Sequence, residues 1–317
     1  MTLGSDSYAS SDATAPVLAV RTDAAFAVPV NACRLALHGL AETAAAAGDP
    51  VVVELGYDDA LETVFTGVVA SIAHGFGRIE VEAVGSFAAL AAARINGLYE
   101  QETAGGIVSD VLGKLAVAEG KVEAGIKLPA FAIDEGRSAW SHLRGLATRC
   151  GFDLWADTDD AAQFRAYTPG DTHTLTYGTD LLAWEHDARP AAWDGVEVYG
   201  ESPSGQGQGD DASSWFTKQE VKGTDGETSG RILRIADPAA RSPSLAGDVA
   251  KGAMVQHAAT ARGTARVLGA PKVRLGDAVS FSKLPVSGQD GEAKVVAVRH
   301  RLDARGGFVT TVAWERA

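Results

Sequence analysis

Segment 138–167 constrains the fold most strongly, because its hydrophobic period changes within one short stretch. Its first half carries apolar residues at helical spacing, which predicts a helix with one apolar face. These residues are Trp140, Leu143, Ala147 and Cys150. Gly151 follows directly, and glycine is the residue best suited to the left-handed conformation that ends many helices. We therefore expect a helix that ends at Gly151.

The second half of this segment has the two-residue period of a β-strand. Apolar Phe152, Leu154 and Ala156 alternate with a second set, which consists of Asp153, Trp155 and Asp157. Residues 158–160 (TDD) predict a turn, and the alternation in 163–167 predicts the returning strand. A helix can cover the apolar face of such a hairpin. The segment therefore predicts a compact helix–hairpin unit with one hairpin face buried.

The acidic composition limits the possible partners. The 317 residues include 41 Asp and Glu against 28 Lys and Arg, a formal net charge of −13. This charge repels nucleic-acid phosphates and anionic lipids, so we expect no direct nucleic-acid or membrane partner. The chain has no basic N-terminal region followed by an apolar run, and no stretch of about 18 consecutive apolar residues. We therefore expect a protein that is made in the cytoplasm.

The order of predicted elements divides the chain into four parts. Residues 1–15 are small and polar and predict a loose N-terminal arm. Residues 16–100 are rich in strands and predict a small antiparallel barrel or sandwich, including a long hairpin (61–74 and 78–84). Residues 101–170 predict an α/β module of helices and a hairpin, and strands resume in 171–317.

Two segments of the last part differ from their surroundings. Residues 201–230 are polar and glycine-rich and predict a mobile loop, in which Trp215 and Phe216 are candidate contact residues. Residues 245–262 are rich in alanine and predict a helix. Cys33 and Cys150 are far apart in the sequence and are expected to be reduced and buried.

The sequence lacks the residue patterns that catalytic and metal sites require. No two of the seven histidines have metal-ligand spacing. The acidic cluster of Asp157, Asp159 and Asp160 is better explained by the turn that it forms. Gly205, Gly207 and Gly209 do not lie between a predicted strand and a predicted helix, as a phosphate-binding loop would. We therefore predict no catalytic, cofactor-binding or metal-binding residue, and no enzymatic activity.

Six short motifs follow one another in an order that resembles a known family. They are 64–69 (VFTGVV), 107–112 (IVSDVL), 138–167, 175–182 (LTYGTDLL), 193–198 (WDGVEV) and 300–312. Together they resemble the late control protein D family, the tail hubs of contractile phages. They are also similar to the hub part of the hub–spike proteins of type VI secretion and extracellular contractile injection systems. The family's DWDFL motif is replaced here by SAWSHL at 138–143.

This resemblance implies a fold and a structural role. The implied fold is β-rich α+β, with two barrel-like tube domains (16–100 and 171–317) and the small α/β module between them. The implied protein is a homotrimeric baseplate hub. Two similar barrels in each of three chains would match a sixfold tail tube on one side and a threefold spike on the other. The implied partners are a tail-tube protein, baseplate wedge components and a spike protein. Since no spike segment follows 312–317, the spike is expected to be a separate chain.

Two other functions remain open at this point. A tail-tip cell-wall hydrolase would require a carboxylic acid with a raised pKa or a metal site. A free-standing module that binds carbohydrate or protein would require exposed aromatic side chains on one face.

Overall fold

The structure is a computed structural model that describes residues 1–9, 16–39, 41, 43–58, 60–201 and 220–317. The strands of the N-terminal part are β1 (Thr2–Leu3), β2 (Asp6–Ser7), β3 (Val17–Ala25), β4 (Ala32–His38), β5 (Pro50–Tyr57), β6 (Ala60–His74) and β7 (Arg78–Val84). Those of the middle part are β8 (Gly97–Thr103), β9 (Glu119–Val122), β10 (Lys127–Ile133), β11 (Phe152–Ala156) and β12 (Ala162–Ala166). Those of the C-terminal part are β13 (Thr172–Thr176), β14 (Leu181–Ala188), β15 (Gly195–Tyr199), β16 (Lys222–Gly226), β17 (Ile232–Ala236), β18 (Ala261–Leu268), β19 (Ala278–Ser282), β20 (Gly291–Asp303) and β21 (Gly307–Arg316). The helices are α1 (Phe87–Ala92), α2 (Ala104–Lys114), α3 (Ala139–Cys150) and α4 (Pro243–Gln256).

One large sheet combines strands from both ends of the chain. Eleven of its strands follow the order β14-β18-β21-β20-β3-β4-β7-β6-β5-β1-β2, while β19 pairs with β20 and β13 pairs with β19. The N-terminal and C-terminal strands are joined where β3 pairs with β20 in antiparallel register. The strand-rich character is as predicted. However, the two sets of strands share one continuous sheet, and the described residues form no closed barrel.

Each half of this sheet has its own hydrophobic core. The N-terminal core includes Leu37, Val53 and Val81. The C-terminal core includes Val279 and Trp314. The period-2 alternation predicted for 78–84 explains part of the first core, since β7 buries Ile79, Val81 and Ala83 and exposes the residues between them.

The predicted helix–hairpin unit is confirmed. The Ser138 hydroxyl accepts a hydrogen bond from the Ser141 amide at the start of α3, and Gly151 ends the helix with φ of 69°. Strands β11 and β12 then pair in antiparallel register. Leu143 of α3 packs in one buried cluster with Leu154 and Phe164 of the hairpin.

The module around this unit is larger than the predicted 101–170. Its hydrophobic core also contains Phe87 and Leu90 of α1, Val196 and Val198 of β15, and Val249 of α4. The helix α4 and the β15–β17 sheet follow residues 101–170 in sequence and bury their apolar faces against this module.

The predicted helix over 245–262 is wrong at its C-terminal end. The helix α4 begins after Ser242, whose hydroxyl accepts a hydrogen bond from the Leu245 amide, and ends at Gln256. Residues from Ala261 onward belong to β18, which pairs with β14 and β21. Ala261 lies in the C-terminal core, so tertiary pairing overrides the helix propensity at the end of the alanine-rich run.

The N-terminal arm is not loose over residues 1–9. The strand β1 pairs with β5, and Leu3 and Tyr8 are buried in the N-terminal core. The two apolar side chains gain enough burial to fix the otherwise polar segment to the sheet edge. The rest of the predicted arm, 10–15, lies outside the described residues.

The predicted loop 201–230 is wrong for its last part. The strand β16 pairs with β15 in antiparallel register, and Val221 is buried. Gly223 belongs there because a Cβ at this position would overlap the Ala246–Gly247 peptide of α4. Residues 202–219, including Trp215, Phe216 and the three glycines Gly205, Gly207 and Gly209, lie outside the described residues.

Two glycines of α4 provide a test of how closely this helix packs on α3. A Cβ at Gly252 would lie 2.7 Å from the Gly151 nitrogen and closer still to the Arg149 carbonyl oxygen. Gly252→Ala is therefore expected to lower the free energy of unfolding by about 1–3 kcal/mol through overpacking. The matched control is Gly247→Ala, where a Cβ meets no atom within 4 Å. There the higher helix propensity of alanine should raise the free energy of unfolding by up to about 1 kcal/mol.

Urea denaturation of both variants measures the difference. Equal effects of the two substitutions would show that α3 and α4 do not pack as closely as the structure has them.

Candidate interaction surfaces

Several of the described histidines make contacts within the fold. In the described part of the chain, no three His, Cys, Asp or Glu side chains are grouped so as to hold a metal ion. His142 contacts the Asp134 carbonyl oxygen at 2.9 Å. His300 is buried beside the Thr310 hydroxyl at 3.0 Å, and burial lowers its pKa to about 4. Burial also raises the pKa of the Cys150 thiol to about 11, and it raises the pKa of the Cys33 thiol further. Neither thiol is therefore an activated nucleophile.

Two of the three aspartates of the predicted turn have structural roles that differ from one another. The Asp157 carboxylate accepts hydrogen bonds from the backbone amides of Asp159 and Ala161, each at 3.0 Å. The Asp160 carboxylate instead accepts from the Ser86 amide at 2.8 and 2.9 Å, and burial raises the pKa of this carboxyl. The hairpin tip is thereby fixed to the segment that leads into α1.

Both faces of the β11–β12 hairpin are buried, although the alternation predicted only one. Leu154 and Phe164 face α3, as predicted. Asp153 and Trp155 on the other face are also buried, because this face lies against the large sheet. Trp155 meets Phe26, which follows β3, edge-to-face with ring centroids 5.3 Å apart. The hairpin is therefore the element that connects the module to the sheet.

A half-buried lysine lies at the centre of this connection. The Lys294 ammonium of β20 donates to the Asp153 carboxylate at 2.8–2.9 Å and lies 3.8 Å from Glu315. It also lies over the rings of Phe26 and Tyr167, 4.9 and 4.8 Å from their centroids. Burial and the carboxylates nearby raise the pKa of Tyr167 to about 12. Sequence reasoning missed Lys294, since a single lysine in an alternating strand carries no local signal of burial.

A cavity of about 210 Å³ lies where the hairpin meets both halves of the sheet. Its wall combines side chains of β3, β6, the hairpin, the loop before β19, and β20. Asp23, Arg165 and Asp277 are among the polar groups that line it. Asp277 is already satisfied, because it accepts from the Asp171 and Arg274 amides and contacts His173 at 2.8 Å.

A surface groove separates the β5–β6 turn from the C-terminal half of the sheet. Tyr57 and Leu268 line this groove and are both more than half exposed. Glu62 bridges it, with its carboxylate 3.3 Å from Arg274 and 3.8 Å from Lys272. These ion pairs are partly exposed and contribute little stability.

The hairpin of β6 and β7 carries the most exposed aromatic residue among the described ones. Phe76 lies at its tip between Gly75 and Gly77 and is fully exposed. The predicted hairpin is confirmed, with His74 opposite Ile79. Phe76 is therefore a candidate contact residue for another protein. The strands β2 and β14 lie at the two ends of the strand order of the large sheet, and each has one unpaired edge among the described strands.

None of the helices in the described ranges is long and apolar enough to cross a membrane. No protein-family profile matches the sequence. No curated protein matches it in sequence either.

Solved structures with the same fold were found at low sequence identity. The 43 kDa tail protein of prophage MuSo2 from Shewanella oneidensis is 14% identical, with a TM-score of 0.70 over 95% of this chain and 94% of that one. A tail protein from Neisseria meningitidis MC58 is 13% identical, with a TM-score of 0.68 over 95% and 92%. A component of the E. coli type VI secretion system, described as similar to the T4 tail proteins gp27 and gp5, is 12% identical, with a TM-score of 0.62 over 95% and 74%. Over nearly its whole length, this chain therefore has the fold of phage tail proteins and of the type VI secretion component that resembles them.

Proposed function

We propose that the chain is the structural hub of a contractile tail or injection particle. In this proposal three copies form a ring that joins the sixfold inner tube to a threefold spike made by a separate chain, with baseplate wedge proteins outside. The observation that carries the proposal is the fold: it matches tail proteins over 95% of the chain with TM-scores of 0.70 and 0.68. The protein has a structural rather than an enzymatic role in it.

The two cores of the large sheet support the sixfold match. The N-terminal and C-terminal halves each bury their own apolar cluster, and the junction between β3 and β20 joins them. We propose that each half acts as one barrel-like tube unit. Three chains would then offer six similar units to a sixfold ring while keeping threefold symmetry.

The charge of the chain affects how this ring assembles. Three chains at −13 each carry −39 in total, and their mutual repulsion opposes closure of the ring at low salt. The Debye length falls from about 30 Å at 0.01 M salt to about 8 Å at 0.15 M, so moderate salt should favour the ring.

Assembly can be tested by co-expressing the chain with candidate tube and spike proteins. Light scattering and electron microscopy of the complex should show three copies, about 98 kDa from three times 32.8 kDa, at the hub position. The Phe76→Ala variant should reduce binding of the tube or spike without altering the folding of the chain, because this side chain contacts solvent only.

One or six copies at the hub position would contradict the trimeric proposal. Failure to copurify with either the tube or the spike protein, at moderate salt, would contradict the hub role itself.

A further inference from the structure

A second cleft, of about 400 Å³, lies on the other side of the module–sheet connection. The C-terminal ends of α3 and α4 form one wall, and β18, β20 and β21 form the other. Gly151 and Gln256 line the first wall, where the Gln256 amide donates to the Phe152 carbonyl oxygen at 2.9 Å. The walls are regular elements that also pack in the hydrophobic cores, so the cleft is preformed.

The cleft is locally basic although the chain is strongly acidic. Three cationic side chains line it, against two carboxylates. The cations are Arg144, Arg262 and Lys294, and the carboxylates are Asp153 and Glu315. Lys294 pairs with Asp153 and also lies near Glu315. Arg262 is 3.9 Å from Glu315, so these two cations share one carboxylate. The positive charges of Arg144 and Arg262 are therefore not fully neutralised within the cleft.

Arg144 has an unused donor inside this cleft. Its Nη1 atom is buried and forms no hydrogen bond with any residue of the described ranges. Guanidinium nitrogens are strong donors, and leaving one buried without an acceptor costs free energy. The Arg144 side chain as a whole is only partly buried and lines the cleft, so a carboxylate that enters the cleft can form a charge-assisted hydrogen bond with its guanidinium group.

The rim of the cleft favours a carboxylate that is flanked by apolar side chains. Val255 at the end of α4 is 59% exposed, and Ala27 beside Phe26 is also exposed. A polyanion such as nucleic acid does not fit, because Asp153, Glu315 and the overall charge of −13 would repel its other phosphates. A single carboxylate flanked by aliphatic side chains matches both the charge and the rim.

We infer that this cleft is a docking site for a partner-protein segment in which one Glu or Asp side chain is flanked by aliphatic residues. The carboxylate binds Arg144, with Arg262 nearby, and the aliphatic neighbours cover Val255 and Ala27. This inference does not depend on the hub role, since it concerns the isolated chain and a short peptide.

The test uses two blocked peptides, Val-Glu-Val and Val-Gln-Val, which differ only in the carboxylate. NMR titration follows the Nε–Hε signal of Arg144, which is identified by its absence in Arg144→Gln. The glutamate peptide should saturate this shift and bind about tenfold more tightly than the glutamine peptide, since a charged hydrogen bond contributes about 1.5–3 kcal/mol. Arg144→Gln should lose this preference, whereas Arg94→Gln, an exposed arginine that contacts only nearby carbonyl groups, should keep it.

Equal binding of the two peptides, or no saturable shift with either, would overturn the inference. Where Arg144→Gln does not fold, Arg144→Lys identifies the Nε–Hε signal in its place, and the peptide pair on the unaltered chain remains decisive. A preference for glutamate that persists unchanged in a folded Arg144→Gln would also overturn it, because the carboxylate would then bind elsewhere.

Discussion

Replacing Lys294 by methionine is expected to lower the free energy of unfolding by about 3–5 kcal/mol, because the exchange leaves Asp153 buried without a cation. The Lys294 and Asp153 side chains are only 16% and 7% exposed, and their atoms are 2.8 Å apart. The loss should also release the hairpin from the sheet, since Lys294 contacts Phe26 and Tyr167 as well. Urea denaturation at neutral pH measures the change.

Two further variants distinguish this effect from the simple loss of a charge. Lys251→Met removes a lysine that is 68% exposed and 3.8 Å from Asp248, and should change stability by no more than about 0.5 kcal/mol. The double variant Lys294→Met with Asp153→Leu should recover much of the lost stability, since no unpaired charge remains buried. If Lys294→Met is as stable as the native chain, the connection does not depend on this ion pair.

The second large effect is expected for Trp314→Ala, which should cost about 3–5 kcal/mol through loss of buried surface and the cavity left behind. Trp314 of β21 is 1% exposed. Its ring lies 5.2 Å from Phe281 and 6.2 Å from Trp184, measured between centroids. The Trp314 ring therefore packs inside the C-terminal core.

The matched control for Trp314→Ala is Phe76→Ala. Both remove an aromatic ring, but Phe76 is fully exposed at the hairpin tip and should change the free energy of unfolding by no more than about 0.5 kcal/mol. Thermal denaturation compares the two variants. Unfolding is monitored by far-UV circular dichroism, because this backbone signal does not require the tryptophan that is removed. A small effect at Trp314 would mean that the C-terminal half of the sheet does not bury this face.

The helix–hairpin unit could be predicted because its signals are local. Ser138 caps α3 through the Ser141 amide, and Gly151 ends it in the left-handed region. Both interactions occur within a few residues, so the sequence order alone specifies them. The same holds for the β6–β7 hairpin, whose strands are joined by the short turn at Gly75 and Gly77.

The predictions that were wrong share one physical cause, which is strand pairing between segments far apart in the sequence. Residues 2–3 and 222–226 look polar and flexible, yet each forms a strand because a partner strand far away in sequence supplies hydrogen bonds and a core to cover. Ala261 and Arg262 end a run that favours a helix locally, but they pair with β14 and β21. Local composition carries no information about such partners.

The sequence by itself determined the elements whose signals lie within one turn or one hairpin, the acidic character, and the order of strand-rich and helical parts. Only the tertiary structure decided that β3 and β20 join both halves in one sheet, that Asp153 and Trp155 are buried, and that Lys294 holds them. The candidate cleft around Arg144 was likewise decided there, since Arg144 lies more than a hundred residues from Arg262 and Lys294 in the sequence. Burial of a polar side chain depends on which surface covers it, and that surface exists only after the chain has folded.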